Sequence, residues 1–195
     1  MCIRDRPDVF LGHLRKASDN IPVTLANAHP FFHDGWAFIH NGTVYDAESL
    51  PRDASLIPTS DESDTEYLFH YILTAIMTNS INTRICESLV MAVSSLKADY
   101  TAVNSMLSNG HDLYVINKYK MWEDYYTLHC YSLPTGVIIS SEPIESSRLD
   151  PARWNRLADN SVLRIHGSPP RIDEIAIIKG NYGRGTQTDF EGWGH

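Results

Sequence analysis

Trp36-Ala37-Phe38-Ile39-His40-Asn41-Gly42 reads as a strand stopped by a tight turn, and Ser63-Asp64-Thr65-Glu66 reads as the start of a helix. In the first stretch Trp36 and Phe38 alternate with Ala37 and Ile39, the period of a strand, and are assigned to the core. Asn41 and Gly42 then supply the residue types that tolerate left-handed backbone. In the second stretch Ser63 and Glu66 have the spacing of a capping box, in which Glu66 reaches back to the Ser63 N–H. Leu68, Phe69, Ile72, Leu73, Ile76 and Met77 follow at helical spacing. A second helix is expected with Ile85, Leu89, Val93 and Leu96 on one face. Upstream, Val9 to Leu14 reads as a strand. Downstream, Val103 to Leu107 and Leu113 to Asn117 flank Asn109-Gly110 as a hairpin. Tyr126 to Ser132 and Val137 to Ser140 flank Pro134-Thr135-Gly136, Ser161 to Ile165 reads as the last strand, and residues 45–62 read as a loop. Strands, two consecutive helices and then more strands predict an α+β fold.

The 195 residues suit one domain with a sizeable core, and 43% hydrophobic with 21% charged residues is ordinary for a globular chain. A net charge of -8 argues against phosphate-backbone binding, so no nucleic-acid partner is expected. The arginines 148, 153, 156, 164 and 171 are interleaved with acids and read as a solvated face. The apolar run from Tyr67 to Met77 is too short to span a bilayer, and the N-terminus lacks the apolar core of a signal peptide. No membrane association is expected, and the location is read as cytoplasmic. Cys2, Cys86 and Cys130 have neither disulfide nor metal spacing. His29, His33 and His40 match no zinc pattern and read as structural histidines. No metal or cofactor is expected. The aromatics Trp122, Tyr125 and Tyr126 read as a loop-edge cluster.

Four motifs occur in order: His13-Leu14-Arg15-Lys16-Ala17-Ser18, Asn27-Ala28-His29-Pro30-Phe31, His40-Asn41-Gly42 and Ser63-Asp64-Thr65-Glu66. Together they resemble the glutamine-holding pocket of class II glutamine amidotransferases, the N-terminal-nucleophile (Ntn) hydrolases. Ser105-Met106-Leu107-Ser108-Asn109-Gly110 and Ile138-Ile139-Ser140-Ser141-Glu142-Pro143 resemble later strands of that family, so the likeness covers roughly residues 9 to 165. It implies that Arg15 binds the substrate α-carboxylate, a task suited to a planar guanidinium fork. It implies that Asp64 takes the α-amino group, and that the Asn41 side chain and Gly42 N–H form the oxyanion hole. One such donor typically contributes about 3–4 kcal/mol of transition-state stabilisation. Lys16, the Ser140 to Pro143 run and the Trp154 to Ile165 ending resemble the stand-alone branch with YafJ-like proteins and the γ-glutamyl hydrolase of ergothioneine synthesis. The partner implied is glutamine or a γ-glutamyl small molecule.

The nucleophile departs from the family pattern. There a cysteine opens the mature chain, on a strand well ahead of the His-x-Arg motif. Here only residues 3–12 separate Cys2 from His13, too few for the intervening elements. The likeness of Met1-Cys2 to that cysteine is therefore read as coincidental. Met1-Cys2-Ile3-Arg4-Asp5 also matches the translation of a transposase mosaic-end adaptor, so residues 1–6 are expected to be an artefactual leader. Cys86 and Cys130 are internal, whereas an Ntn nucleophile uses its own α-amino group as base. The expected architecture is an Ntn-hydrolase αββα sandwich missing its N-terminal strand or strands. The domain would cover residues 7–166, with a mostly irregular extension over 167–195. Amide hydrolysis through a cysteine thioester is the implied parent reaction, and this chain is expected to be inactive. The alternative is a non-catalytic glutamine-binding or regulatory module. Taken singly, Arg15 is a surface residue at a strand end, Asn41-Gly42 a turn and Asp64 an acid favoured by the helix dipole.

Overall fold

The computed structural model describes residues 9–14, 24–59, 63–79 and 85–176. Two antiparallel sheets stack face to face, and two helices cover one of them. β1 (Phe31–His33) and β2 (Trp36–Asn41) form a hairpin closed by Asp34 and Gly35. Both turn residues have positive φ, the backbone of a two-residue turn that follows the strand twist. α1 (Asp64–Asn79) and α2 (Ile85–Ser95) come next, where the apolar spacing predicts them. β3 (Asn104–Ser108) and β4 (Leu113–Asn117) are the Asn109-Gly110 hairpin. A one-turn helix α3 (Glu123–Tyr126) leads to β5 (His129–Leu133), β6 (Gly136–Ser140), β7 (Asn155–Arg156), β8 (Ser161–His166) and β9 (Arg171–Ala176).

The large sheet runs β1-β2-β3-β4-β8-β9, and the small one runs β6-β5-β7. One face of the large sheet buries Phe38, Leu107, Tyr114, Ile116 and Val162 against Leu68, Phe69, Ile72, Leu73, Leu89 and Val93 of the helices. Phe38 and Phe69 stack in parallel with ring centroids 4.9 Å apart. The other face is thinner: Val115, Leu163 and Ile165 meet Leu128, Val137, Ile139 and Leu157 beneath the small sheet. Trp36 lies at the core's margin beside Tyr114, as its alternation with Ala37 predicts. Among the described residues no helix is long and apolar enough to cross a membrane.

Two local expectations are corrected. Residues 9–14 form no strand: Phe10 and Leu14 are exposed, and no described residue pairs with the run in a ladder. Ser161 to His166 is not the last strand, because Arg171–Ala176 pairs along its full length with β8. Residues 1–8 and 177–195, with the proposed leader and the end of the extension, lie outside the described residues.

Candidate functional site

The site grows from the end of β2. Asn41 is the last residue of the strand and pairs with Asn104 on β3. At Gly42 the chain turns with φ +149°, and a Cβ there would lie 2.1 Å from the Ala102 carbonyl oxygen. Only glycine lets the two backbones approach so closely. The next residues lie against the segment 99–101. The Thr43 N–H donates to Thr101 Oγ1 (3.0 Å), the Thr101 N–H donates to the Thr43 carbonyl (2.9 Å), and the Tyr45 N–H donates to the Asp99 carbonyl (2.9 Å). Neither the Asn41 carboxamide nor the Gly42 N–H hydrogen-bonds to any described residue, and both residues are half-buried. Among the described residues the turn thus leaves two neighbouring donors without a partner.

Asp64 meets them from α1. It opens the helix, where the macrodipole favours a carboxylate, and its Oδ2 accepts from the Val44 N–H at 2.9 Å. That bond holds the carboxylate within two residues of Gly42. Asp64 has no ion-pair partner among the described residues. Glu66 Oε1 accepts from the Thr59 N–H (2.8 Å) and the Thr59 hydroxyl (2.9 Å), tying the preceding loop to the helix.

His40 joins the turn to the helix. It is buried, its Nε2–H donates to the Ala102 carbonyl (3.1 Å), and its Nδ1 accepts from the Thr65 hydroxyl (3.2 Å). A carbonyl can only accept, so this tautomer follows. Burial pushes the imidazole below its ordinary value, against the pull of the Asp64 charge and the Ala102 carbonyl. The His40 carbonyl accepts from His13 Nε2 at 3.2 Å, and His29 Nδ1 lies 3.0 Å from His13 Nδ1. Among the described residues no group of three or more histidines, cysteines or acids could hold a metal ion.

The fold therefore brings Asn41, Gly42 and Asp64 into one cluster. Arg15 and Cys2 lie outside the described residues. Cys86 and Cys130 are both buried, and burial raises each thiol to about 11, so neither is a ready thiolate at neutral pH. Sequence reasoning missed Thr65, Thr101 and Ala102. Thr65 stands inside a quoted motif, but its bond to His40 spans 25 residues and leaves no local signal.

Residues 3–128 match the family model of class-II glutamine amidotransferases. The chain belongs to that family. An uncharacterized protein of Methanocaldococcus jannaschii is 31% identical over 121 residues, covering 59% of this chain and 33% of that protein. A glutamine–fructose-6-phosphate aminotransferase (isomerizing) of Mesorhizobium japonicum is 35% identical over 68 residues, 33% of this chain and 11% of that enzyme. This amidotransferase chain thus spans a third or less of those curated relatives. Two solved structures share its fold. A glutamine aminotransferase class-II domain protein from Silicibacter pomeroyi superposes with a TM-score of 0.60 at 22% identity, covering 81% of this chain and 74% of that one. The glutamine phosphoribosylpyrophosphate amidotransferase of B. subtilis does so at 0.55 and 18%, covering 85% and 34%. The two antiparallel sheets are those of the Ntn-hydrolase amidotransferases.

Proposed function

We propose that this class II amidotransferase domain holds the γ-glutamyl group of glutamine or of a small γ-glutamyl amide. Arg15 grips the α-carboxylate, Asp64 takes the α-ammonium group, and the Asn41 carboxamide and Gly42 N–H receive the oxyanion. In the parent reaction a cysteine thiolate adds to the amide carbon and charge collects on its oxygen. The C–N bond then breaks as the amine takes a proton and leaves. Water hydrolyses the thioester to glutamate. Two donors aimed at that oxygen would supply much of the stabilisation.

The observation that supports this reading is one geometry. Two donors at Asn41-Gly42 with no partner among the described residues stand beside a carboxylate that has no described cation and is tied to the turn through the Val44 N–H. Resemblance to the stand-alone branch favours an amide or γ-glutamyl hydrolase over ammonia transfer to a synthase, in the cytoplasm. Cys2 is not assigned as nucleophile, on the spacing to His13, so the chain by itself should not turn over glutamine. Turnover abolished by Cys2→Ala would refute that assignment. Calorimetry with L-glutamine tests the clamp: binding should be lost in Arg15→Ala and weakened in Asp64→Asn. An open donor pair with only buried, high-pKa thiols among the described residues also suits a non-catalytic glutamine-binding module. Tight binding by a stable monomer would favour that second reading.

A further inference from the structure

The Gly42 N–H can serve an oxyanion only if the peptide plane carrying it is held still, and it makes no hydrogen bond of its own to a described residue. The restraint must come from its neighbours. Thr43 is pinned on both sides by Thr101, through its N–H to the Thr101 hydroxyl (3.0 Å) and its carbonyl to the Thr101 N–H (2.9 Å). A side-chain oxygen does here what a backbone carbonyl does in an ordinary ladder. The Thr101 carbonyl is already taken, by the Lys120 N–H at 2.9 Å. The following residue, Ala102, closes the turn from the other side: its carbonyl accepts from His40 and sits where a Gly42 side chain would be.

The Thr101 hydroxyl is held in turn. It lies 3.0 Å from the Tyr126 hydroxyl, and both residues are buried. Tyr126 is fixed at the end of α3, where its backbone carbonyl accepts from the Asn104 carboxamide. Asn104 is the residue opposite Asn41 in the β2–β3 ladder. The chain of contacts Tyr126–Thr101–Thr43 thus starts and ends on the turn's own frame, with neither side chain close enough in sequence for a motif to reveal it.

We propose that Thr101, held by Tyr126, is a positioning residue that fixes the direction of the Gly42 N–H. The assignment rests on Gly42 being an oxyanion donor. Thr101→Val keeps the side chain's shape, removes the hydroxyl and leaves the Thr43 N–H without an acceptor.

The test is amide NMR on the whole chain, reading hydrogen exchange at Thr43 and the Gly42 resonance without ligand. Thr101→Val should raise Thr43 exchange about fivefold or more, the effect of one lost hydrogen bond. It should also move the Gly42 resonance and leave Gly110 unchanged. Thr101→Ser, which restores the hydroxyl, should return both readings, and Tyr126→Phe should shift them in the direction of Thr101→Val. Unchanged Thr43 exchange and Gly42 resonance in Thr101→Val would overturn the proposal, as would an equal change at Gly110. If Thr101→Val does not fold, Tyr126→Phe decides by the same readings. Adding L-glutamate to the wild-type chain is a separate arm: no shift at Gly42 would count against the oxyanion reading, while the ligand-free readings still decide the positioning role.

Discussion

Asn41-Gly42 and Asn109-Gly110 are the same dipeptide, one at the end of β2 and the other just past β3. At the second, the Asn109 side-chain oxygen and the Gly110 N–H are spent on the turn. Asn109 Oδ1 accepts from the His111 and Asp112 N–H groups, the Gly110 N–H donates to Ser108 Oγ, and nothing stands within 4 Å of where a Gly110 side chain would be. The nearby acid, Asp112, is neutralised by Arg164 at 2.7 Å. At the first, the groups are held open. The Asn41 amide and Gly42 N–H bond to no described residue, the glycine is wedged against Ala102, and the nearby Asp64 has no described cation. The dipeptide alone specifies a turn. Its surroundings, His40, Ala102, Thr101 and the start of α1, make one copy a candidate site.

The largest expected effect separates the two glycines. Gly42→Ala drives a methyl into a carbonyl that His40 holds in place, and should cost about 3–5 kcal/mol in urea unfolding. Gly110→Ala meets open space and only the left-handed penalty of about 1–2 kcal/mol. Equal costs would break the comparison. Next come the two acids. Asp64→Asn keeps an acceptor for the Val44 N–H but loses the charge, so glutamine affinity should fall roughly 10- to 100-fold by calorimetry. Asp112→Asn should leave that affinity unchanged.

Acid should loosen the first region before the second. Burial lowers the pKa of His40, and of His70 on α1, in the folded state. The unfolded chain then binds these protons more readily. The stability involved is present above about pH 6.5 and is lost as pH falls through the lowered folded values, at up to about 1.4 kcal/mol per pH unit for each group. Unfolding curves from pH 7.5 to 5 should show this decline, and His40→Gln should reduce its slope. The smallest effects concern the asparagines. Asn109→Ala should cost about 1 kcal/mol through its lost turn bonds, and Asn41→Ala should stay within about 0.5 kcal/mol in thermal unfolding.

Much of the fold was legible because it is locally encoded. α1, α2 and the β3–β4 hairpin follow from apolar period and turn chemistry, and Asn41, Gly42 and Asp64 stood in recognisable motifs. What was missed is short or non-local. β1 is three residues, although Asp34-Gly35 marks its hairpin. In β9, Arg171, Asp173 and Glu174 break the apolar pattern of an edge strand that is held by pairing with β8. Val9 to Leu14 has strand composition but no partner strand among the described residues. The His40–Thr65 and Thr43–Thr101 bonds span 25 and 58 residues, a range at which spacing carries no information.

The central claim is that one Asn-Gly turn faces substrate and its twin does not. An L-glutamate titration followed at the two glycine amides tests this directly. A γ-carboxylate accepting from the Gly42 N–H should move that resonance downfield in a saturable manner and leave Gly110 in place. A stationary Gly42 resonance, or equal movement of both, would contradict the account.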